Sequence, residues 1–102
     1  MAGQVPFDGD GHPAVGDVCA QTQRCLTNLF AVVKLHGFEI DDIHQVTIYV
    51  VGDHQNLRDA WREVTARFDA NVPPATVLGV SLLGYEDQLV EIDAHVERAR
   101  ST

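Results

Sequence analysis

Three side chains able to do acid–base work, Glu91, Asp93 and His95, stand at alternate positions near the end of the chain. The run Gln88–Val96 alternates polar and apolar so regularly that it predicts a strand. On one face it places Leu89, Glu91, Asp93 and His95, and on the other Val90, Ile92, Ala94 and Val96. A carboxylate on such a face can take a proton from an attacking water. Side chains two apart on one strand are about 7 Å apart, too wide for one zinc sphere, so no metal is expected on the three. In a second apolar segment, Ala75–Leu83, Thr76 and Leu78 share a face and are expected to line the same cleft as Glu91.

The other reactive side chains carry weaker signals. Cys19 and Cys25 fit neither a redox pair nor a zinc half-site and read as reduced thiols packed as small hydrophobes. Asp8, Asp10 and Asp17 lie in a Gly/Pro-rich loop, residues 7–17, that lacks the closing glutamate of a calcium loop. His12, His36, His44 and His54 show no ligand spacing.

The elements that must position the candidate face follow from periodicity. From Val18 to His36 apolar residues recur at three- and four-residue steps, with Asp17 as N-cap and Gly37 after the end, which predicts a helix. His44–Val51 is β-branched and apolar on both faces and predicts a central strand covered on each side. Gly52 and Asp53 break it. Leu57, Trp61, Val64 and Phe68 then mark a second helix, with Trp61 in the core or at an interface, and Pro73 and Pro74 end the stretch. The last two strands, joined by a turn at Gly84–Asp87, are expected to run antiparallel as a pair. Both helices are expected on one face of a small mixed sheet, an α+β arrangement.

At 102 residues the chain makes one domain, and 15 acidic against 7 basic residues give it a formal net charge of −8. Nucleic acids and anionic membranes both require the opposite sign, so neither is an expected partner. The first residues lack the basic and apolar regions of a signal peptide, and no run of about 18 apolar residues spans a membrane. A cytoplasmic location is expected.

Gly3-Gln4-Val5-Pro6, Gly16-Asp17, Gln21-Thr22, Asn28-Leu29 and Gly37, then Val46–Val50, Pro74-Ala75 and Val90–Ala94, resemble the RidA/YjgF (reactive intermediate deaminase) family, in order and at its spacing. The resemblance covers essentially the whole chain, which starts almost at the family's Ser-Gly-Gln segment, here Ala2-Gly3-Gln4. It implies a chorismate-mutase-like fold short of the family's first strands, and a homotrimer with ligand clefts between subunits. It also implies a cofactor-independent enzyme that hydrolyses reactive enamines and imines such as 2-aminoacrylate. By the same resemblance Glu91 is the carboxylate that orients water, and Gly3 is a position where backbone approaches the ligand.

One departure is chemical. The family's Pro-Ala-Arg signature is Pro74-Ala75-Thr76 here. An arginine grips a carboxylate through two charge-assisted hydrogen bonds, and a threonine hydroxyl supplies neither the charge nor the fork. Activity on carboxylated imines is therefore in doubt. The expectation is an imine or enamine deaminase acting on another substrate or, alternatively, a non-catalytic trimer that binds a small metabolite or regulates a partner.

Overall fold

A computed structural model describes residues 16–69 and 71–98. The chain runs through helix α1 (Val18–Leu35), a short 3-10 turn (Ile40–Asp42), strand β1 (Ile43–Val51), helix α2 (His54–Phe68) and strands β2 (Ala75–Val80) and β3 (Val90–Val96). The first helix starts and stops where its end residues dictate. The Asp17 carboxylate accepts from the Ala20 N–H at 2.9 Å, occupying a donor that has no partner within the helix. At the other end Gly37 takes φ 81°. Its N–H reaches Lys34 O and the Phe38 N–H reaches Val33 O, both at 3.0 Å, closing a Schellman motif.

The sheet has the order β2-β1-β3, with β1 parallel to β2 and antiparallel to β3. The α+β expectation holds, with both helices on one face of a mixed sheet. The last two strands, however, are not neighbours. The α2 crossover sets β2 beside β1 in the parallel sense, and residues 81–89 then carry the chain across to the opposite edge of β1.

The core lies between sheet and helices. Leu26, Leu29 and Val33 of α1 meet Val46, Ile48 and Val50 of β1 and Val90 and Ile92 of β3, all at most 1% exposed. Val64 and Phe68 of α2 complete it. Trp61 is not part of it, at 38% exposed, because Ala60 takes the buried place on that turn. The strand β1 is covered on one face only, since Thr47, Tyr49 and Val51 on the other face stay half-exposed.

Gly52 links β1 to α2 at φ 124°, and a Cβ there would run into the Asn56 side chain, whose amide donates to Val51 O at 2.9 Å. Gly52→Ala is expected to lower stability by about 1–3 kcal/mol through backbone strain and displacement of Asn56. Urea unfolding with an unchanged midpoint would contradict this.

Candidate functional site

The face of the sheet turned away from the helices carries the predicted residues in rows set by strand register. One row is Thr76, Thr47 and Asp93, and the next is Leu78, Tyr49 and Glu91. Val80 and Val51 continue toward one end, and Gln45 with His95 toward the other. The face is thus apolar at one end and polar at the other, with Tyr49 at the boundary. Thr76 and Leu78 are exposed, and Glu91, Asp93, Thr47 and Tyr49 are half-exposed.

Glu91 and Thr76 therefore share a face without touching. With β1 between them and one row of offset, their Cα atoms are about 12 Å apart. The residue between them is Tyr49, which the sequence reading left inside the central strand without a role. Its parity with Thr47 was the available signal. Gly3 lies outside the described residues.

Charge is concentrated at the polar end. The Asp93 carboxylate, by its charge and by the hydrogen bond it accepts from the Tyr49 phenol, pushes that phenol above its ordinary range, with the Glu91 charge adding in the same direction. A recess of about 240 Å³ beside Asp93 is lined by Gln45, Thr47, Asp93, Ala94 and His95. His95 Nε2 lies 3.6 Å from a Glu97 carboxylate oxygen, and its ring meets that of His44 edge-on at 6.3 Å. Among the described residues no three His, Cys, Asp or Glu side chains come together to hold a metal ion.

What fixes Glu91 in place is the buried side of the same strand. The Gln21 amide, 1% exposed, donates to Asp87 O at 3.0 Å and accepts from the Leu89 N–H at 2.7 Å, tying α1 to the entry of β3. Behind the sheet, Cys25 points its thiol at Val90 O, 3.7 Å away. Burial, reinforced by the Glu91 charge, pushes this thiol up to about 12. Cys19, only partly buried, is raised chiefly by desolvation, against a hydrogen bond with Arg62 that lowers it. A thiol reagent at pH 8 is therefore expected to label Cys19 slowly in the native protein and Cys25 only after unfolding. Rapid native labelling of both thiols would contradict this geometry.

Among the described residues, neither the strands nor Arg67 or Arg98 supplies an arginine in place of the one missing at Thr76. None of the three strands contains a Lys or Arg. Arg67 lies over the Phe30 ring at 5.2 Å and donates to the Thr27 hydroxyl at 2.8 Å. Arg98 lies over Phe38 at 5.5 Å and donates to Gly37 O at 3.0 Å. Both guanidinium groups are engaged with α1 and the segment after it.

Comparison with known proteins places the fold in a family. A family profile described as "Endoribonuclease L-PSP" matches residues 1–98. A RutC family protein of Pyrococcus horikoshii is 31% identical over 97 residues, spanning 92% of this chain and 74% of the relative. A crystal structure of a conserved Rid family protein of Yersinia pestis, its function unknown, superposes with a TM-score of 0.80 at 31% identity, covering 92% of this chain and 73% of that one. The crystal structure of a putative endoribonuclease of Thermotoga maritima gives a TM-score of 0.85 at 25% identity, covering 97% and 78%.

Proposed function

The chain belongs to the RidA/YjgF family, and from that premise we propose that it hydrolyses a small reactive imine in a cleft closed over the open sheet face by a neighbouring protomer of a homotrimer. The observation that carries the proposal is the placing of Glu91. It projects from β3 onto the half-exposed face that also holds Thr76, and the family resemblance gives it the part of the water-orienting carboxylate. Leu78, 44% exposed, together with Val51 and Val80, gives the same face an apolar half that a second protomer can cover.

In this reading an enamine first tautomerises to the imine, whose protonated form presents an electrophilic carbon. Glu91 takes a proton from the attacking water as its oxygen bonds to that carbon. The proton passes to nitrogen, the new hydroxyl gives up its own proton to the departing ammonia as the C–N bond breaks, and a carbonyl compound and ammonium leave. Thr76 offers a hydroxyl to the substrate, Leu78 supplies apolar contact, and Gly3 brings backbone to the ligand. The chemistry needs no cofactor or metal. A cytoplasmic setting suits it, and among the described residues no helix is long and apolar enough to cross a membrane.

Small imines generated in situ and trapped with semicarbazide test the reading, with carboxylated and carboxylate-free substrates side by side. No acceleration of any of them over buffer removes it. Thr76 in place of arginine favours one second reading, a trimer that binds a metabolite without turning it over. A ligand at 100 times its Kd would then stabilise the fold by about 2.7 kcal/mol, visible as a thermal shift without product. An endoribonuclease activity fits poorly, since a net charge of −8 opposes a polyanionic substrate.

A further inference from the structure

The polar half of the open face has one sign of charge. Glu91 and Asp93 lie in adjacent rows, with Glu91 opposite Tyr49 and Asp93 opposite Thr47 in the register of β1 and β3. A recess opens next to Asp93, lined in part by Thr47 and His95. The strands contribute no Lys or Arg, and Arg67 and Arg98 are held elsewhere by aromatic rings and hydrogen bonds. A carboxylated imine entering this face would meet two fixed negative charges and no counter-charge from the strands, whereas an iminium without a carboxylate would meet attraction alone.

Resting on the imine-hydrolase reading, we propose that Asp93, beside Glu91 on the open face, sets the substrate class of the site: cationic iminium compounds that carry no carboxylate, such as arise when a primary amine rather than an amino acid is oxidised. The reaction balances without a further reactant. Water adds through oxygen to the carbon of RCH=NH2+, one of its protons moves to nitrogen, and the second follows as the C–N bond breaks, so that RCHO and NH4+ leave. Asp93 is a specificity residue here, while the proton handling stays with Glu91.

Imines made in situ by flavin oxidases from propylamine and from 2-aminobutanoate differ only in the carboxylate, and they test the proposal directly. The purified protein is expected to accelerate hydrolysis of the propylamine imine at least tenfold more than that of the 2-aminobutanoate imine. Asp93→Asn is expected to lower the rate for the first and raise it for the second. A merely structural role for Asp93 would lower both rates together. Equal or faster turnover of the carboxylated imine overturns the charge selection and leaves the imine-hydrolase reading standing. Acceleration of neither overturns both.

Discussion

Replacing Glu91 by glutamine is expected to lower the acceleration of imine hydrolysis by about 10²-fold or more, the usual contribution of a positioned acid or base. The amide keeps nearly the same shape and its hydrogen-bonding capacity but cannot take up the proton that water must lose. Because Glu91 sits half-exposed on the side of β3 away from the core, while Val90 and Ile92 hold the buried side, the fold should not register the change. Stability should stay within about 0.5 kcal/mol of the parent, as for other substitutions outside the core. Steady-state rates and urea unfolding measured on the same preparation separate the two effects. Undiminished activity in Glu91→Gln would remove the carboxylate from the mechanism.

Thr76→Arg is expected to produce the second large effect, in the opposite direction. Thr76 is exposed on the edge strand β2, so a longer side chain meets no core atoms and can extend over the open face. A guanidinium there supplies the two-pronged, charged grip on a carboxylate that the parent lacks. Each charge-assisted hydrogen bond contributes about 1.5–3 kcal/mol when shielded from water. Screening at an exposed position and competition from Asp93 in the same row reduce that gain, so a KM lower by about tenfold for carboxylated imines is the realistic size. The same variant should lose preference for carboxylate-free iminium substrates. An unchanged KM would show that residue 76 does not face the bound substrate.

Much of the fold is written in local signals, because those signals act locally. Asp17 and Gly37 bound α1 through hydrogen bonds and a φ value that nearby residues decide, and the alternation of Val90–Val96 sorts core from open face without reference to other strands. Strand order is a different matter. Which edge of β1 receives β3 depends on where α2 leaves β2 and on residues 81–89 being long enough to cross, and no single stretch of sequence encodes that. Trp61 falls outside the core for a related reason. Its spacing fits the apolar stripe, but α2 turns Ala60, Val64 and Phe68 inward and leaves Trp61 beside the β2 edge, in a shallow groove with Leu57, Arg58, Ala75 and Val77.

The candidate face divides along the same line. Residues on a single strand, Glu91 with Asp93 or Thr76 with Leu78, can be assigned to one face by parity alone. The pairing across strands that inserts Tyr49 between Leu78 and Glu91 needs the register, and the nearness of the phenol to the Asp93 charge follows only from that register. The absence of a strand cation is legible from sequence. Where Arg67 and Arg98 go instead is not, since each is placed by an aromatic ring far from it along the chain or by a backbone carbonyl.

Sedimentation equilibrium at micromolar concentration bears most directly on the idea of an active crevice shared between copies. Assembly predicts a species near three times the 11.2 kDa chain mass. A stable species at the mass of one chain would leave Glu91, Tyr49 and Thr76 on an open surface with nothing to exclude water, and the proposed chemistry would lose its enclosure.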